Sequence, residues 1–215
     1  MRLLQFSYSP FAAKVRICLE LKQLACEVVD VPYTQRGELV KVSGGVGVPV
    51  LVDGETVVTD SPRITAYLET KGGPSLREHP LAPVLEQWAD NWLEETAFRL
   101  ACPGLEERMG RDQGEEARLM FKLVKERRYG AGCIAQWRLD QAKYADETKA
   151  MLAPIVEAVR ATGFVLGNSA SIADAAVAGQ LHMVEAALPG WVQSHVPALT
   201  PWFVSLSRAP LHHPP

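Results

Sequence analysis

The two-residue turn Asp53-Gly54 constrains the fold of this 215-residue chain more than any other feature. It separates two apolar, β-branched runs, Val48 to Val52 and Glu55 to Val58. Asp-Gly suits the positive φ angles of a tight hairpin, so we expect the two runs to pair as antiparallel strands. The chain therefore contains a β-sheet, and the residues around the turn must supply its remaining strands and its cover.

The residues before the hairpin predict a βαβ unit. Arg2 to Phe6 and Glu27 to Val31 have strand-like composition, and Pro10 to Lys22 between them carries apolar residues at helical spacing. A helix that joins two strands of one sheet implies a right-handed parallel crossover. After the hairpin, Ser61-Pro62 begins another helix, which Gly72-Gly73-Pro74 ends. The predicted order is β-α-β, a linking segment, and β-β-α.

The pattern changes after about residue 76. Long amphipathic segments such as Leu85 to Leu100 and Ala135 to Val159 replace the strand-like runs. Helix breaks are expected at Pro103-Gly104, Gly130-Ala131-Gly132, Thr162-Gly163 and Pro189-Gly190, which gives about five or six helices. We predict an α/β domain over residues 1–76 and an all-helical domain over residues 83–215.

Composition excludes several classes of function. Lys and Arg number 22 against 25 Asp and Glu, for a net charge of -3, so a nucleic-acid partner is not expected. Met1 to Tyr8 lacks a long apolar run with a cleavage site, and no later stretch reaches the about 18 apolar residues of a membrane span. We therefore expect no membrane partner and a cytoplasmic location.

The cysteines and histidines predict no metal site. Four cysteines are widely separated and form no C-x-x-C pattern, so we expect reduced thiols: Cys18, Cys26, Cys102 and Cys133. The five histidines are scattered, and the pair His212-His213 lies in a proline-rich tail.

Three motifs point to one family. Together with the β-α-β, β-β-α and helical order, they resemble the glutathione transferase superfamily along nearly the whole chain. The resemblance implies a thioredoxin-like N-terminal domain followed by an all-helical bundle. The motifs are Ser9-Pro10-Phe11-Ala12-Ala13-Lys14-Val15-Arg16, Val48-Pro49-Val50-Leu51-Val52-Asp53-Gly54 and Asp60-Ser61-Pro62-Arg63-Ile64-Thr65-Ala66-Tyr67-Leu68.

The resemblance assigns a glutathione site to the second and third motifs. A proline at a strand start is ordinarily trans, but Pro49 matches the family's cis-proline, which presents the Val48 backbone to a bound peptide. By its own chemistry, Ser61 caps a helix whose first residue is Pro62. The resemblance implies that Ser61 and the free backbone N–H groups bind the γ-glutamyl carboxylate, and that Asp60 meets the α-ammonium.

Ser9 is the predicted catalytic residue. Ser9-Pro10 also has the pattern of a helix cap, and capping remains an alternative role. Thiols react as thiolates, and a reference thiol pKa of about 8.5 means that the site must lower the pKa of glutathione. The resemblance implies that Ser9 donates a hydrogen bond to the sulfur, whereas cysteine-type relatives carry a cysteine here. Tyr8 and Ser7 are alternative hydroxyl groups.

One segment departs from the family pattern. Many serine-type members carry a basic residue just before the Val-Pro pair, where it binds a terminal carboxylate of glutathione. This chain has Gly44-Gly45-Val46-Gly47 instead. Lys41, Arg36 and Gln35 are possible substitutes, and the sequence does not choose among them.

Residues of the helical part are expected to be mainly structural. Ser171-Ile172-Ala173-Asp174 resembles the family's capping box, and removing Asp174 should cost about 1 kcal/mol or more of stability. Five aromatic residues could line an apolar cosubstrate pocket, although core packing is the simpler role: Trp88, Trp92, Phe98, Trp137 and Tyr144.

The resemblance implies a glutathione transferase that conjugates the glutathione thiolate to a small, apolar electrophile. It also implies a homodimer, with glutathione as substrate and no metal. Two alternatives remain: a non-catalytic binding or assembly module of the same fold, and a glutathione-dependent thiol transferase or isomerase. The fold alone does not separate them, because activity resides in the site.

Overall fold

The computed structural model describes residues 1–207, and its N-terminal part contains a four-stranded sheet. The strand order is β2-β1-β3-β4, where β1 is parallel to β2 and antiparallel to β3, and β3 is antiparallel to β4. Asp53 is the last residue of β3 and pairs with Thr56, so the two-residue turn is Gly54-Glu55, one residue later than the predicted Asp53-Gly54. The strands are β1 Arg2–Gln5, β2 Glu27–Asp30, β3 Val50–Asp53 and β4 Thr56–Thr59.

Three helices accompany the sheet: α1 Pro10–Leu21, α2 Gly37–Ser43 and α3 Ser61–Glu69. Helix α2 occupies the segment that the sequence predicts only as a link. It has one buried residue, Leu39, and it ends at Gly44, whose φ of 71° requires the freedom of glycine. So short a helix offers too little apolar periodicity to be read from sequence. The predicted thioredoxin-like arrangement is confirmed.

The rest of the described chain is helical, as predicted, but it contains more helices than the five or six expected. A π-helical turn, Ala89–Leu93, joins α4 to α5, and a 3₁₀ turn, Pro197–Leu199, precedes α11. The helices are α4 Ala82–Trp88, α5 Glu94–Gln113, α6 Glu115–Tyr129, α7 Cys133–Leu139, α8 Gln141–Thr162, α9 Ile172–Ala187, α10 Trp191–His195 and α11 Thr200–Ser207.

The predicted break at Pro103-Gly104 is wrong, because α5 continues through it. A proline inside a helix costs about 3 kcal/mol. Leu100, Cys102 and Leu105 are all fully buried around it, and each buried apolar side chain returns about 1.5–3 kcal/mol. Tertiary packing therefore outweighs the local signal. The helix ends instead at Gly114, with a φ of 90°.

Helix α9 packs directly against α1 and joins the helical part to the sheet part. Gly179 permits this close contact: a Cβ added there would lie 2.5 Å from the Pro10 carbonyl oxygen and 3.1 Å from the Lys14 backbone nitrogen. No L side chain fits at that distance. The two helices are consequently as close as their backbones allow.

Asp174 holds the beginning of α9 more firmly than a cap requires. It forms the predicted capping box with Ser171 and is fully buried. Its carboxylate also accepts hydrogen bonds from the Val165 N–H and from Trp202 Nε1, both at 2.9 Å. Asp174 therefore ties together the start of α9, the loop before it and α11.

Candidate functional site

A cavity of about 480 Å³ lies between the sheet part and the helical part of the chain. All three residues predicted to bind glutathione, Val48, Asp60 and Ser61, line it, and so does Pro49. Phe11, at the start of α1, lines the same cavity. The opposite wall comes from α4 and the π turn and includes Pro83, Glu86, Gln87, Asp90 and Asn91.

The Val48–Pro49 peptide bond is cis. Val50, which follows, begins strand β3, and Leu51 of that strand pairs with Leu3. Val48 and Pro49 thus lie directly before β3, which is an interior strand of the sheet. Their position at the cavity is set by the sheet and not by a mobile loop.

Asp60 adopts an unusual backbone conformation at the start of α3. Its φ is 74° and its ψ is 125°, a region that costs an L-residue about 1–3 kcal/mol and that is enriched at functional sites. The Ile64 N–H bonds to the Asp60 carbonyl oxygen at 2.9 Å, so Asp60 is the N-cap residue. The surrounding structure must hold this conformation in place.

The expectation that Ser61 caps α3 is wrong by one residue. Ser61 is the first helical residue, Pro62 is the second, and no side chain caps the helix. Proline is accepted anywhere in a first helical turn, because the N–H groups there have no partner inside the helix. Ser61 is buried and lines the cavity, so the uncapped start of α3 offers a place for an anion there.

Ser9 takes the capping role that the sequence left open. Its hydroxyl oxygen accepts a hydrogen bond from the Ala12 N–H at 3.3 Å, and the residue is 6% exposed. Ser9 is not among the residues that line the cavity, although Phe11, two residues later, is. The structure therefore brings Val48, Asp60 and Ser61 together at the cavity and leaves Ser9 outside its lining.

Tyr8, the alternative hydroxyl, points into the seam between the two parts of the chain. Its ring stacks on Phe6, at 5.9 Å between centroids, and meets Phe121 edge-on at 6.2 Å. The phenol oxygen has no hydrogen-bond partner within residues 1–207. Burial raises the pKa of Tyr8, so the phenol stays protonated and keeps a hydrogen that it can donate.

A smaller recess of about 330 Å³ continues from the cavity over the glycine-rich loop and shares Val48, Pro49 and Asp60 with it. Of the described residues that line this recess, Asp60 alone carries an ionisable side chain. Arg36 lies near the loop, but its guanidinium stacks on Tyr33 at 4.2 Å and donates to the Tyr33 carbonyl oxygen. Lys41 and Gln35 are exposed.

The aromatic residues do not form the expected pocket. Phe98 and Trp137 pack against Tyr129 in the core, with centroid distances of 5.8 and 5.2 Å from Tyr129. Trp92 is 67% exposed, and none of the five aromatic residues is among those that line the cavity. For Phe98 and Trp137 the spacing reflects packing among helices, which is the simpler of the two roles considered from sequence.

Sequence reasoning missed a buried ionic network behind the cavity. Lys14 Nζ lies 3.0 Å from Glu86 Oε1 and also contacts Asp90 Oδ2. Arg77 Nη2 lies 2.6 Å from Glu86 Oε2 and 2.9 Å from Thr65 Oγ1. Burial raises the pKa of Asp90, while Lys14 opposes the shift. Lys14, a charged residue among the apolar residues of α1, is the one sequence feature that could have indicated such a network, since lysine is seldom buried without a partner.

Comparison with known families accounts for this arrangement. Residues 3–75 match the sequence model of the glutathione S-transferase N-terminal domain, and residues 134–210 match that of the C-terminal domain. The chain belongs to the glutathione S-transferase superfamily. The resemblance inferred from the three motifs is confirmed.

Individual glutathione transferases are more distant. A zeta-class glutathione S-transferase from Euphorbia esula is 38% identical over 87 residues, which are 39% of this chain and 37% of that relative. The chain therefore aligns with well under half of that relative's length. The fold is similar to that of glutathione transferase FuA3 from Phanerochaete chrysosporium, with a TM-score of 0.79, 16% identity, and 99% and 98% of the two chains covered.

A second solved structure is similar in fold over a comparable length. Glutaredoxin 2 from Salmonella typhimurium, solved in complex with glutathione, has a TM-score of 0.77 and 17% identity, and 98% and 95% of the two chains are covered. Likenesses at these identities extend to the fold alone. They agree with a thioredoxin-like domain followed by helices.

Residues 1–207 form neither a candidate membrane span nor a candidate metal site. Within residues 1–207, no helix combines the length and the apolar character that crossing a membrane requires. In the same part of the chain, no group of three or more His, Cys, Asp or Glu side chains is arranged to hold a metal ion. His212-His213 lie outside the described residues.

Proposed function

We propose that the protein is a glutathione transferase that joins the glutathione sulfur to a small, apolar electrophile. The observation that supports this most strongly is the convergence of Val48, Asp60 and Ser61 on one cavity beside the start of α1. The Val48 backbone would pair with the peptide of glutathione. The uncapped start of α3 at Ser61 would bind its α-carboxylate.

In this proposal Ser9 stabilises the thiolate. The start of α1 carries the positive end of the helix dipole, which favours an anion there. The Ser9 hydroxyl accepts from the Ala12 N–H, and its hydrogen remains free to donate to sulfur. Each unit by which the thiol pKa falls corresponds to about 1.4 kcal/mol of preference for the thiolate.

The reaction is balanced without a metal or a redox partner. The thiol proton leaves to solvent, and the sulfur electron pair forms a bond to an electrophilic carbon. In a substitution the leaving group departs with its bonding electrons, and in an addition the neighbouring carbon takes a proton from water. The rate gain comes from thiolate stabilisation and from positioning.

A calorimetric titration with glutathione tests the binding step. Wild type should bind glutathione, and Ser61→Ala should weaken binding about tenfold, the effect of losing one charge-assisted hydrogen bond. Ser194→Ala, which changes an exposed serine elsewhere, is the matched control. If wild type shows no binding at millimolar glutathione, the proposal is wrong.

The thiolate step needs a separate measurement. Ultraviolet absorbance of the bound thiolate, followed against pH, should give a lowered thiol pKa in wild type, and in Ser9→Ala the pKa should return toward that of free glutathione. Ser9→Thr retains a hydroxyl and should retain part of the shift. A normal thiol pKa in wild type, with binding intact, would leave the protein without this route to catalysis.

A non-catalytic binding module is the second candidate, because Ser9 is used as a helix cap and is not among the residues that line the cavity. Exchange through an enzyme thiol has less support. All four cysteines are buried, and burial raises the pKa of Cys18 to about 12. Conjugation assays with wild type and Ser9→Ala separate the module from the enzyme.

We also propose a homodimer located in the cytoplasm, where thiols such as these stay reduced. Large apolar side chains at the start of α4 and in the π turn are exposed, which supports a partner on that face: Leu81, Val84 and Trp92. Analytical ultracentrifugation of wild type and Trp92→Ser tests the assembly. A monomer in wild type at micromolar concentration would contradict it.

A further inference from the structure

A second cavity lies wholly within the helical part of the chain. Its volume is about 580 Å³, and helices α5, α8, α9 and α10 all contribute to its lining. Not one of these lining residues also lines the cavity that contains Val48, Asp60 and Ser61. Small-molecule sites have volumes of about 300–1,000 Å³, so this second cavity, here called the α8–α10 cavity, has the size of a ligand site.

The lining of the α8–α10 cavity is mainly apolar and carries no permanent charge. Of the described residues that form it, none is Asp, Glu, Lys or Arg, and most are Ala, Leu, Pro or Gly. Ala142 and Ala145 lie on one face of α8 and add only methyl groups to the wall. A charged ligand would lose its hydration in this lining without meeting an opposite charge. The cavity therefore favours a neutral ligand with a mainly apolar surface.

One buried donor at the α8–α10 cavity has no acceptor. Trp191 lines the cavity and is 4% exposed, and its Nε1 makes no hydrogen bond within residues 1–207. The indole N–H can only donate, and a buried Trp usually has a partner for it. Trp202 has such a partner, because its Nε1 donates to Asp174 Oδ1 at 2.9 Å. A ligand that brings an acceptor oxygen would give Trp191 the partner it lacks.

Contacts within the protein hold Trp191 in place. Glu185 of α9 accepts hydrogen bonds from the Gly190 and Val192 N–H groups, at 2.8 and 2.6 Å, and so fixes the start of α10. One turn later, His195 stacks on the indole, with 4.7 Å between ring centroids and 9° between ring planes. His195 Nδ1 also lies 3.0 Å from the Trp191 carbonyl oxygen. A donor that is already fixed loses little freedom on binding, so the site is preorganised.

We infer that the α8–α10 cavity binds a neutral, mainly apolar molecule with a carbonyl oxygen, and that this oxygen accepts a hydrogen bond from Trp191 Nε1. Apolar contact with the cavity wall holds the ligand, and the single hydrogen bond orients it. Binding forms and breaks no covalent bond. The inference goes beyond the proposed function, because this cavity shares no lining residue with the cavity at Ser61.

Two probes that differ in one acceptor test the hydrogen bond. Methyl β-naphthyl ketone has a carbonyl oxygen, and β-ethylnaphthalene has a similar shape without it. Equilibrium dialysis gives the ratio of their affinities in wild type and in Trp191→Phe, which keeps an aromatic ring and removes the donor. The ketone is better hydrated in water, but this difference is the same for both proteins and cancels. We expect the ratio of ketone to hydrocarbon affinity to fall about tenfold in Trp191→Phe, or about 1.4 kcal/mol.

An exposed tryptophan provides the matched control. Trp92→Phe, at a residue that does not line the cavity, should keep the wild-type ratio. An equal ratio in wild type and in folded Trp191→Phe overturns the inference. If Trp191→Phe does not fold, wild type gives an independent readout by NMR. One of the five indole N–H signals should then move downfield with the ketone and not with the hydrocarbon, and indole spectra that are equal for the two probes overturn the inference.

A second pair of variants locates the site. Ala142 lines the cavity and is exposed, so Ala142→Phe narrows the cavity without burying a new side chain in the core. It should weaken binding of both probes by at least about tenfold. Ala161→Phe places the same side chain at an exposed position of α8 outside the cavity and should bind both probes as wild type does. If Ala142→Phe binds as well as wild type, the probes bind elsewhere and the inference is wrong.

The remaining outcomes concern other uses of the cavity. If wild type binds neither probe up to the limit of their solubility, the inference is wrong. A monomer–dimer equilibrium that Ala142→Phe weakens in analytical ultracentrifugation, without probe binding, assigns the cavity to contact between copies of the chain and also overturns the inference. The proposed transferase function stands in either case, because the titration of glutathione with wild type and Ser61→Ala tests it separately.

Discussion

Lys14 Nζ lies 3.0 Å from Glu86 Oε1, and both side chains are almost fully buried. Lys14 belongs to α1 and Glu86 to α4, so the ion pair joins the sheet part of the chain to the helical part. Removing one partner of a buried pair leaves a charge without compensation, which is costly, whereas the intact pair is close to neutral in energy.

We expect Lys14→Met to destabilise the protein by about 3–5 kcal/mol, because Glu86 and Asp90 would remain buried without their cation. Urea unfolding measures the loss. Lys149→Met, at an exposed and loosely paired lysine on α8, should change stability by less than about 1 kcal/mol. If Lys14→Met also lowers the free energy of unfolding by less than about 1 kcal/mol, methionine replaces the ion pair and the prediction is wrong.

Asp174→Asn should cost more than the 1 kcal/mol expected of a helix cap. The buried carboxylate accepts from Ser171, Val165 and Trp202, and an amide cannot satisfy all these donors. We expect a loss of about 3–5 kcal/mol, seen as a lowered midpoint in urea unfolding. Asp146→Asn is the exposed control. Equal stability of the two variants would mean that the network is replaceable.

His182 should make stability depend on pH. Its Nε2 lies 3.1 Å from the Ser7 carbonyl oxygen and 3.0 Å from Arg16 Nη2. Burial, with Arg16 adding to it, lowers the pKa of His182 to about 4, against about 6.5 in the unfolded chain. The unfolded state therefore binds more protons between these values, and stability falls as pH drops through that window.

The His182 contribution has a maximum slope of about 1.4 kcal/mol per pH unit and is fully present above pH of about 6.5. Urea unfolding of wild type and His182→Gln at several pH values isolates it from the carboxylates. The difference in free energy of unfolding should narrow steadily from pH of about 6.5 to about 4. A difference that does not change with pH contradicts the assignment.

Gly47→Lys should strengthen glutathione binding. The recess beside Gly47 offers no cation for a terminal carboxylate. A Cβ at Gly47 meets no atom within 4 Å, and the φ of Gly47 is not positive. We expect affinity to rise about three- to tenfold, or about 0.7–1.4 kcal/mol, by calorimetry. Glutathione monoethyl ester, which lacks that charge, should gain nothing.

Gly37→Lys provides the matched control for that experiment. Gly37 also has open space around it, but it lies at the start of α2 and does not line the recess. Adding the same charge there should leave both affinities unchanged. An equal gain for glutathione in the two variants would indicate general electrostatic attraction and not a carboxylate site.

Local signals in the sequence predicted most of the sheet part. Asp53-Gly54 marks the hairpin turn to within one residue, and Pro62 does the same for the start of α3. Where packing decides, the prediction was wrong. Pro103 lies inside α5 because its neighbours in the helix are buried against other helices. Those helices are distant in the sequence, so the residues around Pro103 do not reveal the burial.

The candidate site divides in the same way. Val48, Asp60 and Ser61 belong to contiguous motifs, and the structure brings them to one cavity. Asp90 was not predicted, because its pairing with Lys14 joins residues far apart in the chain and depends on how the π turn after α4 lies beside α1. Contacts between domains leave no local pattern, so they are accessible only once the helices are placed.

The absence of a side chain at Gly179 limits how the two domains can be recombined. A Cβ there would meet the Pro10 carbonyl oxygen at 2.5 Å, so any larger residue would push away the first turn of α1, which Ser9 caps. A chimaera that joins this sheet domain to the helices of another relative must keep glycine at this point. The position of the Ser9 hydroxyl in the sheet domain therefore depends on the glycine at position 179 in the helical domain.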